Sequence, residues 1–294
     1  MCGRFVASRP VEDIVEQFGV DEVRVPIELL PGPRFNVCPQ DEVLAIREVV
    51  PRSEAPGDAA AGAGAGKGAP AAPSDSASPE RRLSTYRWGL VPSWAKSPNV
   101  GARAFNARAE TLADKPMFRT ALVRRRCIVP ADAFYEWQRL AAAGVAGAAG
   151  VAGGSSGRGG KRQPWCFKAS DGSMLGLAGL YELWRETPES EWLRTCTVIT
   201  TRANSLMAPI HDRMPVILQP ADYGAWLTPG VLDPSELHEL LAPADEEFLV
   251  SYRVGSEVGN SRAEGPQLVE PLADSSDPPV ENSSSEPPPG PASP

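Results

Sequence analysis

The stretch CFKASDGSMLGLAGL, Cys166–Leu180, decides the fold class. Two apolar, strand-like runs flank Asp171-Gly172. Asp-Gly accepts positive φ at both central positions of a tight turn, so the stretch predicts a β-hairpin with a type I′ turn. Further strands are predicted on both sides. Val43 to Val50 is rich in β-branched residues, and Cys127–Val129, Phe134–Gln138 and Cys196–Thr200 read the same way. Helices stand apart from this set. In Pro10–Phe18, Val11/Val15 and Ile14/Phe18 repeat at i, i+4, and Gly19 stops the helix. Asp114 is read as the cap of a second helix, with Pro116 in its first turn and Ala121 and Leu122 further on. Asp233-Pro234 starts a late helix carrying Leu237, Leu240 and Leu241. Strands joined by hairpins, with helices set apart, predict an α+β single domain with an antiparallel sheet or barrel-like core and flanking helices.

Bulk properties narrow the classes. The chain has 294 residues, 42% of them hydrophobic, and a formal charge of −8. That argues against a general polyanion binder. Five cysteines (Cys2, Cys38, Cys127, Cys166, Cys196) are scattered, with no CxxC pair. Only His211 and His238 could join them, so neither a metal nor any other cofactor is expected. Free thiols suggest a reducing cytoplasm, with association with the nucleoid if the source is bacterial. No apolar run is long enough to cross a bilayer, and no basic-then-apolar leader opens the chain. Two Ala/Gly/Ser/Pro-rich stretches, about 51–82 and 140–163, lack the large apolar residues that offset ordering entropy. They read as insertions in one domain spanning 2–272. Residues 273–294 form an acidic, Pro-rich tail, also read as disordered. The default oligomeric state is a monomer.

Several residues could carry chemistry. Cys2 follows the initiator methionine, whose removal would leave an α-amine and a thiol on adjacent carbons. Such a 1,2-aminothiol condenses with an aldehyde to a Schiff base and closes to a thiazolidine. The α-amine has the lowest unperturbed pKa of any amine in the chain, about 8. The blander account is that any small residue would serve at position two. In FYEWQ, Phe134 and Glu136 share one strand face, and Tyr135 and Trp137 the other. A carboxylate walled by aromatics should have a raised pKa and act as acid or base; the alternative is a solvent-facing glutamate. His211, in PIHDRMP, could pass protons near neutral pH or be a structural histidine. In FNARAE, Asn106 and Arg108 face the same side if extended, pairing an amide for a reacting centre with a guanidinium for phosphate. Between Leu83 and Arg139 there are ten Lys/Arg and four Asp/Glu, a local +6, with Trp88, Trp94 and Trp137 interleaved. Basic residues beside aromatics suit single-stranded nucleic acid, although core tryptophans and solvated arginines, the RRR at 124–126 especially, give the same pattern.

Taken in order, MCGRF, RFNVCP (Arg34–Pro39), WGLVPSW (Trp88–Trp94), FNARAET, CIVPADAFYEW and IHDRMP resemble the SOS-response-associated peptidase family of abasic-site DNA–protein crosslinkers. The resemblance spans about Cys2 to Leu272, skipping both insertions. It implies that Met1 is removed, by self-processing or otherwise. Cys2 then traps the ring-opened aldehyde of an abasic site in single-stranded DNA as a thiazolidine, shielding the lesion during repair. Glu136 would be the acid/base that opens the sugar, Asn106 the residue holding sugar and α-amine, and His211 the aid to proton transfer. Arg4, Asn36, Arg108 and Arg213 would grip phosphates and shape the pocket, with Trp137, Trp88 and Trp94 packing on bases or pocket walls. Lyase activity through the Schiff base is a secondary expectation.

Two rivals use parts of the same sequence. An N-terminal-nucleophile glutamine amidohydrolase also begins with cysteine after a removed methionine. It leaves FYEWQ, IHDRMP and the basic stretch without work. A noncatalytic single-strand-binding module uses the arginines and tryptophans but has no need of Cys2.

Overall fold

The computed structural model describes residues 2–50, 78–140 and 162–273. The two insertions and the tail lie almost wholly outside the described residues. The strands are β1 (Phe5–Ala7), β2 (Glu22–Val23), β3 (Arg34–Val37), β4 (Glu42–Val49), β5 (Glu80–Trp88), β6 (Asn106–Arg108), β7 (Arg126–Ala131), β8 (Ala133–Arg139), β9 (Arg162–Ala169), β10 (Leu175–Trp184), β11 (Leu193–Arg202), β12 (Arg213–Pro215), β13 (Ile217–Leu218) and β14 (Leu249–Arg253). The helices are α1 (Val11–Phe18), α2 (Arg119–Arg124), α3 (Tyr223–Leu227) and α4 (Pro234–Leu240). The expected α+β architecture is present, mostly sheet with few helices.

The larger sheet runs β12-β11-β10-β7-β4-β5-β2. Parallel pairing of β11 with β5, through Thr195–Arg87 and Cys196–Trp88, joins it into a ring of β5, β4, β7, β10 and β11. Closure removes the sheet edges that would otherwise invite aggregation. A second sheet runs β14-β9-β8-β1-β3. α1 covers one side of the first core with Ile14 and Phe18, and Phe18 stacks on Tyr223 of α3 at 5.2 Å. Gly19 closes α1 at φ 60°, a left-handed position that glycine occupies at little cost.

The Asp171-Gly172 hairpin does not form. β9 pairs with β8 and β14, whereas β10 pairs with β7, β11 and β13. Gly172 alone takes a positive φ, so the two-residue turn expected from Asp-Gly is absent. The true hairpin joins β8 to β9, Arg139 opposite Arg162, across the second insertion. β7 and β8 are separated by Asp132 alone, and β9 and β10 by a turn at 170–174, where the chain passes from one sheet to the other. Asp132 makes the first break. Its carboxylate accepts from the Ser8 backbone at 2.6 Å and hydroxyl at 2.9 Å and pairs with Arg9. Asp171 sits at the second, accepting from the backbone and hydroxyl of Ser173. The apolar flanks of Asp-Gly are real strands; they are apolar because each belongs to a different core.

Three other boundaries differ. α2 begins at Arg119, with Phe118 rather than Asp114 at its start. Pro116 disfavours helical geometry at Lys115, so the segment turns before it coils. Residues 80–82 and 162–163, assigned by composition to the insertions, are strand. Arg82 lies opposite Arg47 and pairs with Glu22 and Glu80, and Gln163 lies opposite Gln138. Polar, ladder-bound ends carry no apolar signal. In the RRR run, Arg126 is 4% exposed and donates to the carbonyls of Leu122, Trp226, Thr228 and Gly230, and Arg125 pairs with Glu182 at 2.7 Å. These two arginines tie α2 and α3 to the ring instead of facing solvent.

Trp88 is fully buried, donates to the Phe105 carbonyl at 2.8 Å and packs edge-on against Phe5 and Phe105. It is core and cannot stack on a base. Trp94 is 63% exposed. Trp88→Ala should therefore lower unfolding free energy by about 3–5 kcal/mol. Trp94→Ala should change it by about 0.5 kcal/mol or less. Urea denaturation of the two variants checks the contrast.

Candidate active site

The start of the chain is locked between the two sheets. β1 runs antiparallel to β8, with Phe5 opposite Phe134 and Val6 opposite Ala133. The Tyr135 amide donates to the Arg4 carbonyl at 3.0 Å. Carried back along the chain, this register brings Cys2 alongside Glu136 and Trp137. Cys2 has no solvent exposure and packs in the core that contains Phe5, Trp88, Phe134 and Met214. Burial drives its thiol pKa upward, and the Glu136 charge adds to the effect, so the resting group is a thiol and not a thiolate.

Asn106 reaches the same point from β6, which pairs in parallel with β11 at Val198. Its side-chain nitrogen donates to the Cys2 carbonyl at 2.7 Å. Its oxygen is buried and has no hydrogen-bond partner among the described residues. A buried acceptor left unmatched is costly, so this oxygen marks a place for a donor. Glu136, on β8, is 2% exposed. Burial raises its pKa, with the charge of His211 among the influences pulling the other way. His211 Nε2 lies 4.0 Å from the Glu136 carboxylate. The Arg213 amide donates to His211 Nδ1 at 2.9 Å, which assigns the hydrogen of the neutral ring to Nε2, on the Glu136 side. The exposed Asp212 carboxylate lies 3.0 Å from Nδ1. Cys2, Asn106, Glu136 and His211, drawn from four separate parts of the chain, thus converge.

The other expected residues divide. Arg4 donates to Asn36 at 2.8 Å and to the Val258 carbonyl at 2.6 Å, and lies 5.8 Å from the Trp137 ring centroid. Asn36 is fully buried, its amide spent on Arg4 and on the Asn260 and Ala263 carbonyls. Direct phosphate contact is closed to it; it anchors Arg4 and the closing segment of the described chain, 254–273. Arg108 is exposed on β6 beyond Asn106, sharing its face as expected for extended chain. Arg213 forms a two-pronged pair with Glu110, at 2.5 and 3.0 Å. The Trp94 loop is tied by the Trp184–Ala95 bond to the start of β11, the end away from Asn106.

Sequence reasoning missed Gln138. It shares the Glu136 face of β8, donates to the Pro209 carbonyl at 3.2 Å and accepts from the Trp165 indole at 3.1 Å. That holds the main chain two residues before His211. Its spacing from Glu136, i+2 on one strand face, was the available signal.

Residues 1–261 match the SOS response associated peptidase (SRAP) family. The chain belongs to that family. It is 38% identical over 270 residues to the abasic site processing protein YoqW of Bacillus subtilis (strain 168), covering 92% of this chain and 99% of that one. It is 31% identical over 203 residues to the abasic site processing protein HMCES of Xenopus tropicalis, covering 66% of this chain and 59% of that one. A solved protein from Bacteroides thetaiotaomicron shares the fold, with a TM-score of 0.67 at 23% identity over 92% of this chain and 100% of that one. Another from Bordetella bronchiseptica gives 0.57 at 28%, over 86% and 100%. Among the described residues of this SRAP chain, no helix is long and apolar enough to cross a membrane.

The raised pKa of Glu136 has a sign that can be measured. The folded state holds this proton more tightly than the unfolded one, so the group's contribution is present below the unfolded value and lost as pH rises through the folded value. Glu136→Gln removes that loss. Above neutral pH its melting temperature should exceed that of wild type. In acid, below the ordinary glutamate range, the difference should vanish. Calorimetry across pH checks both limbs.

Proposed function

We propose that the protein captures abasic sites in single-stranded DNA covalently through Cys2, after loss of Met1. The observation that carries this reading is the Asn106 clamp on Cys2 beside buried Glu136 and His211. Family membership and the names of YoqW and HMCES support an abasic-site substrate.

An abasic sugar exists mainly as a ring-closed hemiacetal. Glu136, able to keep a proton to higher pH than an ordinary glutamate, protonates the ring oxygen while the C1′ hydroxyl passes its proton to the Glu136–His211 pair and C1′ becomes an aldehyde. The Cys2 amine, its lone pair steered by donation to the orphaned Asn106 oxygen, attacks C1′. Water leaves as the imine forms, its proton supplied through Glu136 and His211. The thiol sulfur then adds to the imine carbon. Its proton ends on the former imine nitrogen, so the thiazolidine forms with no net gain or loss of protons. A thiol held neutral by burial suits this last step, because the sulfur need not ionise beforehand. The seclusion of Cys2 and Glu136 favours single strands, whose nucleotides can turn inward without breaking base pairs. Cleavage at the imine stage, as an abasic lyase, is a side branch that ring closure suppresses. Met1 removal in the same pocket would account for the peptidase in the family's name.

Denaturing gels with an abasic single-stranded oligonucleotide test this. Wild type should give a heat-stable adduct. Cys2→Ala should give none unless borohydride reduces an imine. Glu136→Gln should slow formation by about 10²-fold or more. An equally stable adduct with Cys2→Ala would overturn the thiazolidine assignment.

A further inference from the structure

Arg213 presents its guanidinium fork to both Glu110 oxygens, the geometry that also suits a phosphate. A second bond from Arg213 to the Thr200 carbonyl fixes the fork in place. The Arg213 side chain is 12% exposed and that of Glu110 51%, so the carboxylate caps the guanidinium on its solvent side. β6 and β12 both border β11 here, with Arg108 opposite Thr200 and Arg213 opposite Arg202. Arg213 and, more weakly, Arg108 hold the Glu110 carboxyl below the usual range, so it stays anionic through neutral pH. His211 and Asp212 precede Arg213 on the loop into β12, and Arg202 lies opposite it on β11. A groove of about 900 Å³, rimmed by Arg119 and Arg202, leads away from Glu110.

We propose that Glu110 is a placeholder for a backbone phosphate of single-stranded DNA, neutralising Arg213 until a phosphate displaces it. The proposal rests on the DNA reading given above. The Glu110 carboxylate is half exposed, so a phosphate can reach the pair and take over the fork. Exchanging one anion for another on Arg213 gives little net attraction. Undamaged strands therefore gain little at this position, and retention is left to the covalent step at Cys2. Loss of Glu110 should make the protein bind single strands more tightly, lesion or not.

The test uses the full chain carrying Cys2→Ala, so that no thiazolidine forms, with an undamaged single-stranded oligonucleotide followed by fluorescence anisotropy over a salt series. Glu110→Gln should tighten binding about threefold to tenfold at low salt. It should also steepen the dependence of log affinity on log salt by about 0.7, the value for one phosphate on a single strand. Arg213→Ala should erase both effects. Glu110→Ala, with thermal melts of every variant, guards against a fold effect. Unchanged or weaker binding by both Glu110 variants, or a gain that survives Arg213→Ala, would overturn the placeholder. Abasic crosslinking by the Cys2 protein is measured alongside. Crosslinking without the Glu110 effects refutes the placeholder alone; neither binding nor crosslinking refutes the DNA reading as well.

Discussion

The hydrogen bond from the Asn106 amide to the Cys2 carbonyl is the contact on which the site depends. Chain termini usually fray because few contacts offset the entropy of fixing them. Here the second residue is buried in a core with Phe5, Trp88 and Phe134. β1 supplies the track by pairing with both β3 and β8. Asn106 then fixes the carbonyl, so the sulfur and the nitrogen of Cys2 have defined positions. Without that clamp, Cys2 would have no fixed relation to Glu136.

Ring closure explains how distant segments meet. β11 is bordered by β5 and β6 on one side and by β10 and β12 on the other. Its Val198–Arg202 end therefore gathers Asn106, Arg108 and Arg213 within a few residues of register. The second sheet adds Glu136 and Gln138 from β8. Gln138 spans the gap to the histidine loop through the Pro209 carbonyl. The closing segment, held by Arg4, Asn36 and the Arg34–Glu264 pair, braces β1 and β3 from outside. Arginines that suggested a nucleic-acid surface thus divide in two. Arg4, Arg125 and Arg126 are committed to internal contacts, whereas Arg108 stays exposed and Arg213 is capped by the Glu110 carboxylate.

Local pattern carried the strands and helices well, because alternation and i, i+4 spacing report directly on burial. Glu136 was legible for that reason: its strand face follows from period two, and the aromatic residues around it foretell its seclusion. Pairing partners were not legible. Asp171-Gly172 has the chemistry of a tight hairpin, but an apolar flank cannot say which of two cores it enters. Trp88 and Trp94 look alike in sequence, yet one lies inside the ring and the other on a surface loop. Asn36 looked like a polar contact for phosphate and is instead a buried brace, a distinction set by contacts more than two hundred residues away. Glu110 carried no signal, since its meaning comes only from Arg213 across the β6–β11–β12 junction.

The account reduces to a chemical claim about one residue, that the α-amine and thiol of Cys2 act together on a sugar aldehyde. An amine extended by Met1 is an amide at Cys2 and cannot form the imine that precedes ring closure. Intact-mass measurement of the purified protein, before and after mixing with an abasic single-stranded oligonucleotide, reads both facts at once. The account predicts a chain lacking Met1 and a one-to-one adduct whose mass is the sum of the partners less one water. A chain that keeps Met1 and forms the same adduct to the same extent would contradict it.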